Sequence, residues 1–332
     1  MNQDCKTLSA ALWAVVIVTA SLLTAQLPAQ AEVSGAEVRK TTPGPARTDA
    51  AFRAFLIGLW PEAQAAGVSR QTFDAALSGL KPDFKLPDLL LPGEMTVRKV
   101  RQAEFTREPR AYLDRAYLAR LAKTGRGLAQ KWRLQLDLIE AKFGVDRQTV
   151  LAIWGRETAF GTYKPKHDAI RVLATQGFAG RRATLFRGEL IDALRLLEAG
   201  VPRAKMRASW AGAMGMTQFM PSEFFKHKHD FAGDGYADLF NSVPDALASA
   251  ARQLSNKGWQ SGRTWGYEVV VPTRSDCAEE GPPGARSLRA WASGGFVRVA
   301  GRQFPDAVLD DRQVEPCERV QRRDHERRDR HP

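Results

Sequence analysis

Apolar residues recur at helical spacing through the middle of this chain, and this pattern restricts the fold more than any other feature. Five of them follow one another at intervals close to four residues: Leu128, Trp132, Leu136, Ile139 and Phe143. Such spacing places them on one face of an α-helix, and the Gly144 that follows is suited to end it. We therefore predict an amphipathic helix here, with a mainly α-helical core around it.

A second helix is expected directly afterwards, in the stretch DRQTVLAIWGRETAFG that starts at Asp146. Asp146 is a suitable N-cap, because its side-chain oxygen can accept from the free amides of the first turn. Glu157 follows at a spacing that places it on the same helix face as Val150 and Ile153. Burial and the negative end of the helix dipole both disfavour its charged form. We expect a raised pKa and a candidate general acid; the alternative is a glutamate that reaches water at a fraying helix end.

Further helical patterns extend on both sides of this region. They comprise a stripe from Phe52 to Trp60 with a break at Pro61, a helix capped by Ser69, and the segments 103–123, 182–199, 221–229 and 243–257. Strand-like alternation is found only late, at 267–271 and 296–299. The patterns predict a mainly α fold with a small β-containing piece near the C-terminus.

The N-terminus has the features of an export signal. Lys6 precedes an apolar run from Leu8 to Leu23, and Ala29-Gln30-Ala31 then offers a cleavage site. We expect residues 1–31 to form a signal peptide and residues 32–48 a flexible linker, with the mature protein in the periplasm. The alternative is an uncleaved membrane anchor, because the run approaches the ~18 residues that span a bilayer.

Composition excludes some classes of partner and cofactor. A net charge of +12 favours nucleic acid, a membrane surface or a charged cell-wall polymer. Export argues against nucleic acid, no nucleic-acid-binding motif is present, and we expect a monomer. After removal of Cys5, Cys277 and Cys317 either pair or remain free thiols. No zinc-ligand spacing or phosphate-binding glycine loop is present, so no cofactor is required.

A second informative stretch is SWAGAMGMTQFMPS, which starts at Ser209. Its small residues let the backbone approach a ligand closely. Gln218 can both donate and accept hydrogen bonds, which suits sugar hydroxyl and acetamido groups. Phe219 and Met220 offer apolar surface for the faces of sugar rings. Taken alone, the stretch is equally compatible with a tight loop packed under a helix.

Together, GRETAFG and the later AGAMGxxQFMPS resemble the lytic murein transglycosylase B family. Other segments fit the same pattern: FTR at 105–107, ATQGF before Arg181 and Arg182, NSVPDALAS at 241–249, and GWxxGxxWGYEV from Gly258. The resemblance covers roughly residues 50–270. It implies a lysozyme-like helical catalytic domain at 49–268, followed by a small β-containing segment at 269–311.

The resemblance also implies an activity on peptidoglycan glycan strands. Members of this family cleave the β-1,4 bond between N-acetylmuramic acid and N-acetylglucosamine without water and form a 1,6-anhydro product. Glu157 would act first as general acid and then as base. The residues implied to line the sugar cleft are Ser209, Gln218, Phe219 and Met220. Arg181 and Arg182 would face the acidic peptide stem; the alternative is that they form a solvated basic pair.

The segment that starts at Asp230 resembles an EF-hand calcium loop, with acids at positions 1, 5 and 9 and glycine at position 6. It departs from that motif at Ala232, which has no ligand oxygen, and at Asn241, which replaces a bidentate glutamate. Some members of the resembled family bind calcium here. The implied structural site comprises Asp230, Asp234, Tyr236, Asp238 and Asp245. The alternatives are sodium, no metal, or a turn stabilised by its own hydrogen bonds.

The C-terminal end departs from the family pattern. Residues 286–306 still fit, but no R-Y-N-x-S-like segment follows, and residues 312–332 are basic with few apolar side chains. We expect this tail to be disordered. It is either the product of a truncated or frame-shifted gene or a basic tail that binds anionic wall polymer. Two hypotheses result: a lytic transglycosylase, or a catalytically impaired peptidoglycan-binding protein.

Overall fold

The computed structural model describes residues 49–90, 112, 114–262, 266–272, 286–305 and 313–314. These residues form two compact units. The larger unit holds the described residues of 49–90 and 119–261, and the smaller holds 112, 114–118 and those from 262 onward. The predicted signal peptide, linker, FTR segment, Cys277 and Cys317, and almost all of the tail lie outside the described residues, so the predicted domain limits stay predictions.

Helices dominate the described residues as a whole, which confirms the predicted mainly α fold. They are α1 (Asp49–Gly58), α2 (Trp60–Ala65), α3 (Arg70–Leu77), α4 (Arg115–Lys131), α5 (Arg133–Phe143), α6 (Arg147–Thr158), α7 (Ala169–Ala179), α8 (Ala183–Glu198), α9 (Pro221–His227), α10 (Val243–Asn256) and α11 (Leu288–Ser293). No helix within the described ranges combines the length and apolarity needed to cross a bilayer.

Short antiparallel strands complete the described fold. Strand β1 (His167–Asp168) pairs with β2 (Arg207–Ala208) in the larger unit. In the smaller unit β3 (Val269–Val270) pairs with β5 (Val297–Arg298), and β4 (Arg286–Ser287) pairs with β6 (Gln313–Val314). The β3–β5 pair confirms the two strands predicted from alternation, whereas β1 and β2 were not predicted.

Several helix boundaries follow from local chemistry that the sequence shows. Ser69 accepts a hydrogen bond from the Thr72 amide and so caps α3. Gly144 ends α5 in the left-handed conformation, as predicted. Asp146 precedes α6 as predicted, but its side chain makes no capping hydrogen bond, so that part of the prediction is wrong. The helix expected to run continuously from Leu128 is also interrupted, because α4 ends at Lys131 and α5 begins at Arg133.

Two hydrophobic clusters hold the larger unit together. The first gathers α1–α3, α7, α8 and α9 around Phe52, Phe186 and Leu190, all at most 1% exposed. The second joins α5, α6 and α10 through Leu136, Val150 and other buried apolar residues. Helix α7, which the sequence did not predict as a helix, is buried along most of its length. Helix α6 therefore has its apolar face fixed by the second cluster, and its C-terminal turn carries Glu157.

Candidate active site

Glu157 occupies the last turn of α6, where the chain changes direction sharply. After Thr158 three consecutive residues have positive φ: Ala159 at 47°, Phe160 at 59° and Gly161 at 76°. Residues with a Cβ adopt this conformation at a cost of about 1–2 kcal/mol each, so neighbouring contacts must hold the turn. The Ala159 amide donates to Gly155 O at 3.0 Å and the Phe160 amide to Trp154 O at 3.2 Å.

The ring of Phe160 folds back onto the helix that it follows. It meets Trp154 edge to face at a centroid distance of 5.4 Å. A Cβ placed on Gly155 would lie 2.7 Å from Phe160 Cζ, so glycine is required for this approach. The glycine two residues before Glu157 thus allows the helix end to close tightly.

Thr158 ties the end of α6 to the loop that starts at Ser209. Its hydroxyl donates to Met216 O at 2.7 Å and accepts from the Gly161 amide at 3.0 Å. Thr158 is 2% exposed. Sequence reasoning missed this residue, although it lies inside the GRETAFG motif. The contact places the turn that carries Glu157 directly against the second motif.

The loop from Ser209 to Ser222 is tight because its glycines approach other backbone and side-chain atoms. Gly215 has φ +75°, and a Cβ there would lie 2.9 Å from Leu239 O. Gly212 has φ +92°, and its added Cβ would lie 2.3 Å from a Leu173 methyl group. Both positions therefore need glycine for conformation and for space.

Ser209 and Gln218 hold the two ends of this loop from within. The Ser209 hydroxyl accepts from the Ala211 and Ala213 amides at 3.3 and 3.1 Å. Gln218 has a strained φ of 53° and donates from Nε2 to Gly215 O at 2.9 Å. Gln218 is 6% exposed, whereas Ser209 is partly exposed. Both predicted binding residues therefore also maintain the shape of the loop, and their contact with sugar stays a prediction.

Phe219 and Met220 are buried at 2% and 7% exposure. Both belong to the first hydrophobic cluster, and Phe219 pairs its backbone with Met214. Their side chains therefore anchor the loop and present little surface to solvent. Contact of these two side chains with the faces of sugar rings stays a prediction. Their burial does not favour it, because little of either side chain is accessible to a ligand.

Arg181 and Arg182 share an acidic partner that the sequence analysis did not identify. Arg181 Nη2 lies 2.8 Å from Asp88 Oδ1, and Arg182 Nη2 lies 3.4 Å from Asp88 Oδ2. The Asp88 side chain is 1% exposed, and each arginine side chain keeps about a third of its surface exposed. The pair is therefore ion-paired on one side and open on the other, which corrects the alternative of a purely solvated pair.

Burial raises the pKa of Glu157 to about 8, although the charge of Arg156 acts in the opposite direction. The residue keeps some contact with solvent. Within the described part of the chain, no hydrogen bond or ion pair reaches its carboxyl group. This confirms the predicted raised pKa. Such a carboxyl is largely protonated at neutral pH and can deliver a proton to a ligand atom.

The candidate calcium loop is stabilised by its own amides. The carboxylates of Asp230 and Asp245 accept from the backbone of Phe231, Ala232, Gly233, Asp234, Gly235 and Asp238. Among the described residues no three Asp, Glu, His or Cys side chains are arranged to hold a metal ion. The hydrogen bonds of a self-stabilised turn are thus present, and calcium binding at this loop stays a prediction.

Comparison with known proteins places these motifs in a family. A family model described as "Transglycosylase SLT domain" matches residues 51–324. Membrane-bound lytic murein transglycosylase B of Escherichia coli (strain K12) is 38% identical over 123 residues, which are 36% of this chain and 34% of that protein. The aligned region thus spans about a third of that relative's length.

Solved structures agree on the fold. SltB3 from Pseudomonas aeruginosa, in complex with NAG-NAM-pentapeptide, matches with a TM-score of 0.65 and 32% identity over 79% of this chain and 68% of that one. The Escherichia coli lytic transglycosylase Slt35 in complex with bulgecin A matches with a TM-score of 0.61 and 23% identity, over 82% and 81% of the two chains, and supports the fold alone. Because the family model covers most of the chain, this protein belongs to the transglycosylase SLT domain family.

Proposed function

We propose that this protein is a peptidoglycan lytic transglycosylase that cleaves the β-1,4 bond between N-acetylmuramic acid and N-acetylglucosamine. The observation that carries the proposal is Glu157, a partly buried carboxyl with a pKa raised to about 8 at the end of α6. Family membership and the likeness to SltB3, solved with a NAG-NAM-pentapeptide, support the same substrate class.

In the proposed reaction Glu157 first donates its proton to the glycosidic oxygen. The C1–O4 bond breaks, and N-acetylglucosamine leaves with a free hydroxyl group. The Glu157 carboxylate then accepts the proton of the muramic acid C6 hydroxyl as O6 bonds to C1. The product is 1,6-anhydromuramic acid, and Glu157 is again protonated. One carboxyl group is sufficient because the attacking hydroxyl belongs to the substrate, whereas ordinary glycosidases need two.

The loop beside Glu157 is proposed to hold the sugar. Ser209 and Gln218 supply polar groups at its ends, while Phe219 and Met220 support it from the core. Arg181 and Arg182 would face the peptide stem with the side that Asp88 leaves open. Thr158 keeps this loop at a fixed distance from the turn of Glu157 through its 2.7 Å bond to Met216 O.

Mass spectrometry of the released muropeptides tests the proposal. Purified peptidoglycan is incubated with the mature protein and with Glu157→Gln, which keeps the shape of the side chain. We expect 1,6-anhydromuropeptides from the wild type and none from the variant. Reducing-end products would show hydrolysis and overturn the mechanism but keep the substrate. If neither protein releases products but both sediment with the sacculus, the protein is a binding-only member of the family.

Location and metal content are further parts of the proposal. The protein would act in the periplasm after removal of residues 1–31, as a monomer. Calcium binding at the loop from Asp230 stays a prediction. A structure of Slt35, which has the same fold, is a complex with calcium. Thermal unfolding in calcium and in EDTA tests it: an unchanged midpoint would favour the self-stabilised turn.

A further inference from the structure

A cavity of about 210 Å³ lies in the larger unit beside the β1–β2 pair and the start of α7. Its charged and titratable lining comprises Asp83, Lys166, His167, Asp168, Arg171 and Arg207. Pockets for drug-sized ligands usually measure about 300–1,000 Å³. This cavity is therefore sized for one or two residues of a larger molecule.

Both acids in the lining already have cationic partners. Arg203 Nε donates to Asp168 Oδ2 at 2.9 Å, and Asp168 Oδ1 accepts from the Arg171 amide at 2.9 Å. Arg171 Nη1 lies 3.7 Å from Asp83 Oδ2. Its guanidinium is fixed by main-chain oxygens, at 3.0 Å from Lys81 O and 3.2 Å from Pro82 O. The two carboxylates are thus neutralised by Arg171 and Arg203.

The positive charges of Lys166 and Arg207 are not balanced by any carboxylate of the cavity lining. Among the described residues neither side chain has an ion pair within 4.0 Å, and both are exposed. Arg207 Nη2 donates to the main-chain oxygen of Lys166, which holds the guanidinium beside the strand pair. A small cavity with two uncompensated cations attracts an anion, and an arginine fork suits a carboxylate.

We propose that this cavity binds a carboxylate of the peptide stem carried by the muramic acid residue. The inference rests on the proposed function, since the sugar rings of a glycan strand are uncharged and its carboxylates lie in the peptide. Arg207 belongs to β2, and the candidate sugar loop begins at Ser209, directly after that strand. The site is distinct from Arg181 and Arg182, whose guanidinium groups lie against Asp88.

Titration calorimetry with three ligands tests this site. The protein carries Glu157→Gln so that no ligand is consumed. The ligands are NAG-NAM-pentapeptide, the same compound with its carboxylates amidated, and peptide-free NAG-NAM whose lactyl carboxyl is amidated. The double variant Lys166→Gln/Arg207→Gln is compared with Lys123→Gln/Arg53→Gln, a matched control that removes one exposed lysine and one exposed arginine on α4 and α1. Lys166→Glu is a second variant that leaves the Arg207 hydrogen bond in place.

We expect the Lys166/Arg207 variant to bind the pentapeptide ligand about fivefold more weakly, as two partly exposed ion pairs would predict. Its affinity for the amidated and peptide-free ligands should be unchanged, and the control variant should match the parent. If the parent binds all three ligands but the variant binds the pentapeptide ligand as tightly as the parent does, or loses the same affinity for all three, only the cavity assignment is overturned. If the parent binds none of the three, the proposed function and the site are rejected together.

Discussion

Two glutamates in the larger unit show how their surroundings shift the pKa of the same side chain in opposite directions. Burial dominates at Glu157 and raises its pKa to about 8. At Glu223, which is 2% exposed, burial would also raise the pKa, but hydrogen bonds from His227, Lys257 and Gln253 hold the pKa well below its usual range. Glu223 has its partners at 2.7 Å (Gln253 Nε2) and 2.8 Å (Lys257 Nζ). The difference teaches that partners, more than depth, decide whether a buried carboxyl is a proton donor or a structural anion.

The largest expected effect is the loss of turnover in Glu157→Gln. Glutamine cannot supply a proton, so the rate of glycan cleavage should fall about 10³-fold, within the usual contribution of general acid–base catalysis. The measurement is the initial rate of muropeptide release at matched protein concentration. The mutation should not lower the free energy of unfolding, since no described residue is bonded to this carboxyl. A residual rate above a tenth of the wild type would remove Glu157 from the mechanism.

Glu223→Gln should instead lower the stability of the protein and leave its turnover unchanged. Removing the charge leaves Lys257 and Gln253 without their anion, and breaking a buried ion pair costs about 3–5 kcal/mol. We expect the free energy of unfolding in urea to fall by about 3 kcal/mol, with turnover per folded molecule unchanged.

Lys226→Gln is the control for Glu223. Its side chain is 52% exposed and lies 3.2 Å from the same carboxylate, so its loss should cost less than about 0.5 kcal/mol. Equal losses from the two mutations would contradict the view that Glu223 acts through its buried partners.

The two glutamates should also respond to pH in opposite directions. The pKa of Glu157 is 4.5 in the unfolded chain and about 8 when folded, so its contribution to stability is complete below 4.5 and lost as the pH rises to 8. The free energy of unfolding of Glu157→Gln, relative to that of the wild type, should therefore increase by about 2 kcal/mol between pH 5 and pH 9. This is less than the full pKa shift would give, because water reaches the carboxyl group. Glu223 instead stabilises the fold at pH values above the ordinary pKa of glutamate, and this stabilisation is lost as the pH falls.

Urea unfolding of both variants and the wild type at several pH values measures these differences. A flat difference between Glu157→Gln and the wild type from pH 5 to 9 would mean that the carboxyl is not shifted. Asp146→Asn is a suitable control on the same helix, because its side chain makes no capping hydrogen bond.

The contrast also shows what the sequence can reveal. The spacing of Glu157 from Val150 and Ile153 was sufficient to predict its helix face and the direction of its pKa shift. The helix capped by Ser69 and the β3–β5 pair were likewise predicted, because their signals are local. The partners of Arg181 and Thr158 were not, since Asp88 and Met216 lie 93 and 58 residues away along the chain. Nor could composition show that Phe219 and Met220 face the core, because apolar residues suit both a core and a sugar platform.

Glu189 is an intermediate case between Glu157 and Glu223. It tests whether the stability that a buried carboxylate provides increases with the number and charge of its hydrogen-bond partners. It is 6% exposed and accepts from the Ser222 amide at 3.0 Å and the Ser222 hydroxyl at 2.7 Å. Burial raises its pKa, and these two bonds only partly oppose it. Glu189→Gln keeps one acceptor oxygen, so we expect a loss of about 1 kcal/mol in the free energy of unfolding.

A double-mutant cycle with Ser222→Ala assigns that loss. If the contact with Ser222 accounts for the loss, the double mutant should lose less free energy of unfolding than the sum of the two single mutants. The expected difference is about 0.5–1 kcal/mol. The bond reaches the first turn of α9, directly after Met220, so its loss should also loosen the loop from Ser209 to Ser222. Additive costs would mean that Glu189 stabilises the fold by packing alone. A loss as large as that of Glu223→Gln would show that two bonds from a neutral partner can equal a buried ion pair, and the rule drawn from the first two glutamates would fail.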